Sequence, residues 1–167
     1  MKKEKMNDKG FSLVELIIVI AIMAVLVVVL APQYLKYVER SRNATDVSNA
    51  TSIVTACQVW AADPNAGETN ENGDSTQAFT SGDKFTITID KDKGEVAKVA
   101  GDKSKDAVES ALKEAAITIA STKCKSKNNW TKYIISGTVE KNGSITFTYT
   151  CNEGTDADNP FKTAMTK

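Results

Sequence analysis

Hydrophobic and polar positions divide the chain into segments with different patterns. An unbroken apolar run extends from Leu16 to Ala31. Between Val47 and Ala61, apolar residues recur at spacings of three and four, which is typical of an amphipathic helix. Further along the chain, apolar and polar residues alternate in short stretches, as they do in half-buried strands. The patterns predict an α+β protein in which a long N-terminal helix packs on a small antiparallel sheet.

The apolar run is long enough to cross a membrane. Phe11 to Ala31 comprises 21 residues, or roughly 31 Å of helix, which matches a hydrocarbon core of ~30 Å. Many of these residues are Val and Ile, but a lone strand cannot satisfy its backbone in lipid, so a helix is predicted. Four lysines precede the run and favour a cytoplasmic N-terminus, with the remainder exported.

The helix is predicted to continue past Pro32, which bends it, to about Ala62. One face should pack on the chain's own sheet. The apolar stripe on that face comprises Val47, Ala50, Val54, Cys57 and Ala61, flanked by Ile53 and Trp60. We predict that the polar residues Arg40, Arg42, Asn43, Asp46 and Asn49 lie largely off this stripe.

The head is predicted to contain two hairpins and one short helix. A polar surface loop over residues 63–83 precedes a strand in which Phe85, Ile87 and Ile89 alternate with polar residues, and Glu95–Val99 returns as its partner. Ser104 is predicted to cap a helix over Lys105–Ala116. The second hairpin joins Tyr133–Glu140 to Ser144–Cys151 through Asn142-Gly143, a pair that supplies positive φ angles. The polar tail from Asn152 should wrap the sheet edge or stay loose.

Composition excludes several kinds of chemistry. The chain has no histidine, which removes Ser-His-Asp and Cys-His catalysis and the common histidine metal sites. The charges balance at 21 basic and 21 acidic residues, so nucleic-acid contact by bulk charge is not predicted. We predict no catalytic residues, no metal and no cofactor.

The junction Lys9-Gly-Phe-Ser-Leu-Val-Glu15 is the most specific motif in the chain. It joins a basic, polar leader of ten residues directly to the membrane-length segment from Phe11 to Ala31 and places the carboxylate of Glu15 inside that segment. A charged group at mid-bilayer costs about 2.5–3.5 kcal/mol on insertion scales, so such a group usually has a function. From Lys9 to about Pro32, this segment resembles the N-terminus of type IV pilins and their relatives.

The resemblance implies a sequence of processing and assembly. Prepilin peptidase would cut between Gly10 and Phe11, Phe11 would be N-methylated, and Glu15 would pair with the N-terminal amine of a neighbouring subunit during assembly. It implies a leader over residues 1–10, a transmembrane and filament-core helix over 11–31, an amphipathic helix over 32–62 and a head over 63–167. Before assembly the subunit would lie in the cytoplasmic membrane with its head outside, in contact with the assembly platform. Afterwards it would form a homo-oligomeric surface filament, with roles in adhesion, motility or DNA uptake open.

The cysteines are predicted to form one disulfide. Cys124 and Cys151 flank the second hairpin, in the exported part of the chain where disulfides persist, and many pilins similarly close a C-terminal loop. In the chain-entropy model a loop of this size contributes about 3–4 kcal/mol. Cys57 is then a buried small hydrophobe, or the alternative partner of Cys124 or Cys151 that ties the helix to the sheet.

Other interpretations remain open at this point. The chain could be a pseudopilin of a secretion or competence system, or a membrane-anchored binding domain that never polymerises. Near the C-terminus, an acidic group could bind calcium, although a solvated tail fits its irregular spacing better. That group consists of Asn152, Glu153, Asp156 and Asp158.

Overall fold

A computed structural model describes residues 11–68, 76–100, 103–152 and 159–166, apart from the side chain of Lys98. Its fold is α+β, with a long N-terminal helix and a small antiparallel sheet, so the predicted class is confirmed. In chain order the elements are α1 (Leu13–Ala62), β1 (Lys84–Ile89), β2 (Gly94–Ala100), α2 (Ser104–Glu114), a 3₁₀ turn (Ile119–Ser121), β3 (Tyr133–Val139), β4 (Ile145–Cys151) and α3 (Pro160–Met165).

The chain divides into two compact units, one that ends at Val38 and one that begins at Glu39. The described part of the first unit is the apolar segment of α1 together with Phe11 and Ser12. The second unit, which we call the head, contains the remainder of α1, the whole sheet, α2 and α3. The amphipathic part of α1 therefore belongs to the head, because its buried side chains form part of the head's core.

The sheet is antiparallel, with strand order β2-β1-β3-β4. Both predicted hairpins are present, and they join through the pairing of β1 with β3, in which Ile87 lies opposite Ile135. The alternation of apolar and polar residues sets this register, because a slip by one residue would turn every buried side chain to the opposite face. Phe85, Ile87 and Ile89 are at most 1% exposed.

The core lies between the buried face of the sheet and the helices α1 and α2. The predicted stripe on α1 is confirmed at Ala50, Ile53, Val54, Cys57 and Trp60, all of which are buried. α2 contributes Val108, Ala111 and Leu112 to the same core.

Two predicted local details are wrong. Ser104 does not cap α2 but is its first residue; it is fully buried, and its hydroxyl donates a hydrogen bond to the Lys84 carbonyl oxygen at 3.1 Å. In the β3–β4 turn only Gly143 has a positive φ, of 84°, whereas Asn142 stays outside that region. The Asn142 side chain instead accepts hydrogen bonds from Ser144, which still closes the turn.

The tail contains a short helix that the sequence pattern did not predict. α3 is capped by Asn159, whose Oδ1 accepts from the Lys162 N–H at 3.0 Å and whose Nδ2 donates to the Tyr149 carbonyl on β4 at 2.8 Å. Phe161 is fully buried, with its ring stacked on Tyr133 at a centroid distance of 4.5 Å. These contacts dock the tail on the sheet edge, which was one of the two predicted outcomes.

Candidate functional site

The N-terminal segment of α1 presents an uncovered apolar surface. Its large apolar side chains from Leu13 to Leu30 are 47–74% exposed. A window of 18 residues in this helix reaches a mean hydropathy of 3.4, with none of the window buried, and is long and apolar enough to span a membrane. Soluble monomers rarely expose contiguous apolar patches above a few hundred Å². Lipid or other protein chains must therefore cover this surface.

Glu15 lies in the first turn of α1, at the edge of the apolar segment. Its Oε2 accepts a hydrogen bond from the backbone N–H of Ser12 at 2.9 Å, and the Ser12 carbonyl accepts from the Leu16 N–H at 3.2 Å. This is one half of a capping box, in which the third helical residue satisfies a free donor just before the helix. The helix dipole also favours a carboxylate at this end. Glu15 is thus held close to the backbone of Phe11 and Ser12.

The other residues predicted for processing and for the helix bend are Gly10, Phe11 and Pro32. Gly10 and the rest of the predicted leader lie outside the described residues. Phe11 precedes α1 and is 88% exposed. Pro32 lies in the interior of α1, which continues through it without a break. Its bend, the cleavage after Gly10 and the methylation of Phe11 stay predictions.

The three cysteines are buried free thiols in the structure. The pairing of Cys124 with Cys151 is therefore absent from it and stays a prediction for the exported, oxidised protein. The Cys124 thiol instead donates to Asp46 Oδ2 at 3.4 Å. Burial raises the pKa of the Cys57 thiol to about 12, and burial together with the charge of Asp46 raises the pKa of Cys124 to about 12. Both groups are neutral at ordinary pH, which makes them poor nucleophiles.

Asp46 is fully buried and organises a loop that the sequence analysis did not connect to α1. We call residues 124–130 the clamped loop. Asp46 Oδ1 accepts from the Lys125 N–H at 2.7 Å, and Oδ2 accepts from the Ser126 N–H and the Trp130 indole N–H, both at 2.9 Å. Several donors on one carboxylate offset the cost of burying its charge.

Glu39 holds the middle of the same loop. Its Oε1 accepts from the Ser126 hydroxyl and from the N–H groups of Lys127 and Asn128, each at 2.8 Å. Arg42, at 3.5 Å from Oε2, forms an ion pair. Burial acts to raise the pKa of Glu39, but the hydrogen bonds from the loop outweigh it and lower the pKa from 4.5 to about 2. Glu39 is therefore ionised throughout the physiological range.

The prediction that Asp46 lies off the buried stripe of α1 is wrong, because Asp46 is fully buried, and the sequence pattern was not used to place Glu39, which is buried as well. Their spacing was the available signal. Glu39, Asn43 and Asp46 continue the buried stripe of Ala50 and Ile53 towards the N-terminus, at steps of three and four. Acidic residues on a buried stripe need buried donors, and the backbone N–H groups of the clamped loop provide them.

The predicted acidic group near the C-terminus falls mostly outside the described residues, which include only its Asn152. Asn152 Oδ1 accepts from the Thr131 N–H at 2.8 Å. Among the described residues, no group of three or more His, Cys, Asp or Glu side chains could hold a metal ion.

Residues 5–31 match the family described as the prokaryotic N-terminal methylation motif. This motif is the class III signal of type IV pilins and pseudopilins, and the chain carries it. The matched segment includes Gly10, Phe11 and Glu15 and ends with Ala31. The motif supports a type IV pilin or pseudopilin, without distinguishing the two, and so indicates a structural protein. No solved structure matches the chain.

The motif and the fold agree on membrane anchoring followed by assembly. The motif implies processing by prepilin peptidase, and the apolar part of α1 suits a membrane anchor that later enters a filament. The α+β head behind a long apolar helix is the arrangement of the pilin fold.

Proposed function

We propose that the chain is the structural subunit of a type IV pilus. It is cleaved between Gly10 and Phe11, N-methylated at Phe11, and polymerised through α1 into a surface filament. The observation that carries this proposal is the uncovered apolar surface from Leu13 to Leu30, which lies within the matched methylation motif. The same side chains can be solvated by lipid in the membrane and can bury against identical helices in the filament.

Burial of the apolar segment stabilises a filament that has left the membrane, because the alternative there is exposure to water. Full burial of one Val, Leu or Ile side chain contributes ~1.5–3 kcal/mol. Lipid solvates these side chains as well as a neighbouring helix does, so the apolar surface alone does not select a partner in the membrane. A specific polar contact must select it. Glu15 supplies that contact, because cleavage creates a positive amine on Phe11 that a carboxylate in apolar surroundings can pair with.

Replacement of Glu15 tests the proposal. Glu15→Ala should still be cleaved, because the cut lies before Phe11, but it should disappear from the sheared filament fraction and accumulate in the membrane. Ser48→Ala, an exposed polar site on the same helix beyond the motif, is the matched control and should assemble normally. Glu15→Ala in filaments at the wild-type level would contradict the assembly role of Glu15. It is the outcome expected of an anchored domain that never polymerises.

A further inference from the structure

A groove runs between the C-terminal part of α1 and α2, entirely within the head. Its volume is about 640 Å³. The floor consists of small, buried side chains, Ala56 and Ala111, and Val59 lies on its wall with 64% exposure. A concave apolar surface floored by alanines accepts bulky side chains from a partner, since small residues permit close approach.

The charged residues of this groove are acidic. Asp63 follows the last residue of α1, and Glu114 is the last residue of α2; both line the groove. The C-termini of both helices meet here, and each carries the negative end of a helix dipole. Lys113, by contrast, lines a neighbouring surface with Leu112 and Ile119. The groove therefore favours an apolar partner segment that carries positive charge.

The chain itself contains a segment with the complementary properties. Residues 33–38, immediately beyond the apolar span of α1, expose three bulky side chains: Tyr34, Leu35 and Tyr37 are 65–67% exposed. The charged side chain of this segment is Lys36. We call residues 33–38 the ridge. It is convex, aromatic and cationic, whereas the groove is concave, floored by alanine and anionic.

We infer that the groove receives the ridge of a second copy of this chain. This inference rests on the proposed filament and adds the contact between subunits outside the apolar core. The two surfaces belong to different parts of the chain, so the contact is heterologous: each subunit offers its ridge to one neighbour and its groove to another. Such a contact continues from subunit to subunit, as a filament requires.

Engineered cysteines test the contact in filaments assembled by cells. A chain with both Tyr34→Cys and Val59→Cys should give a ladder of dimers, trimers and larger products on mild oxidation. Co-expressed chains that carry one substitution each should give dimers only. Tyr34→Cys with Val99→Cys is the matched control, because Val99 is 62% exposed on β2 but does not line the groove. That pair, and the wild-type chain with its three buried thiols, should give no ladder.

Charge reversal provides a second test on the cross-linking background. Lys36→Glu should lower the yield of the product cross-linked between positions 34 and 59 several-fold, and Glu114→Lys should do the same. The two reversals together should restore the yield. Restoration distinguishes a direct contact from a folding defect, since two independent defects would not cancel.

The outcomes separate this inference from the proposed function. Mature chains in the filament fraction without the ladder would overturn the ridge and groove contact and leave the filament intact. Cross-links from position 59 to a different protein would also overturn it, since a second copy is the specified partner. Failure of the wild-type chain to enter a filament fraction at all would overturn the proposed function first.

Discussion

At the scale of single residues, two carboxylates on α1 hold the clamped loop in place. Asp46 and Glu39 accept hydrogen bonds from successive groups of the clamped loop, which has no regular secondary structure of its own. Backbone N–H groups that are buried without a partner cost about 1–3 kcal/mol each. The loop therefore depends on these two side chains for its path beneath α1.

Asp46→Ala should destabilise the head by ~3 kcal/mol or more, because it leaves the buried Ser126 N–H and Trp130 indole N–H, and the part-buried Lys125 N–H, without an acceptor. Denaturant unfolding of the full chain in detergent micelles would measure the loss. Gln58→Ala, at an exposed position of the same helix, should change stability by no more than about 0.5 kcal/mol. A loss for Asp46→Ala as small as that of the control would refute the clamp.

Glu39 should make the stability of the head depend on pH in the acid range. Its pKa in the folded head, about 2, lies below its ordinary value of 4.5. The stabilisation is therefore fully present above pH 4.5 and is lost as the pH falls towards about 2. Unfolding of the wild type and of Glu39→Gln should differ most above pH 4.5 and converge near pH 2. A difference that is independent of pH would show that ionisation of Glu39 is not what stabilises the loop.

At the scale of elements, the sequence pattern predicted the bounds of those helices and strands whose side chains follow a regular period. The end of α1 at Ala62, β1 and the strands of the second hairpin lie within about one residue of the predicted bounds, because their side chains follow steps of 3.6 or 2. The predicted cap at Ser104 is wrong because of a tertiary contact: the Ser104 hydroxyl donates to the Lys84 carbonyl on β1. No local sequence pattern predicts that contact.

α3 was missed because six residues cannot form a stable helix by propensity alone. Phe161 and Asn159 hold it by contacts with β3 and β4 that are distant in sequence. Phe161→Ala should cost ~3–5 kcal/mol, since it empties a site among Tyr133 and Trp130. Protease nicking of the tail in the full chain should rise in this variant. Thr163→Ala, on the same helix, serves as the control; equal effects would show that Phe161 is not the anchor.

Gly137 lets β3 pass beneath a large ring on β1. A Cβ at this position would lie 2.2 Å from Phe85 Cζ, and Phe85 is buried with its ring stacked on Phe79. Gly137→Ala should therefore cost ~1–3 kcal/mol through overpacking. Phe85→Leu in the same chain should recover part of that loss because it removes the clashing atoms. Additive losses in the double variant would contradict the proposed contact; thermal unfolding measures both.

At the scale of the whole molecule, the sequence predicted the processing and assembly segment but not the polar clamp in the head. The junction around Gly10, Phe11 and Glu15 is readable because a membrane imposes strict length and polarity on consecutive residues. The clamp joins Glu39 and Asp46 to a loop about 80 residues further along the chain. Such pairings depend on tertiary folding, so local patterns did not reveal them.

The intact mass and N-terminal peptide of the protein from sheared cell-surface material test the central claim most directly. We predict a chain that begins at N-methylated Phe11 and is abundant in that filament fraction. The same N-terminus confined to the membrane fraction would contradict the filament and favour a pseudopilin. A chain that keeps residues 1–10, or is cut after Ala31, would contradict the pilin processing itself.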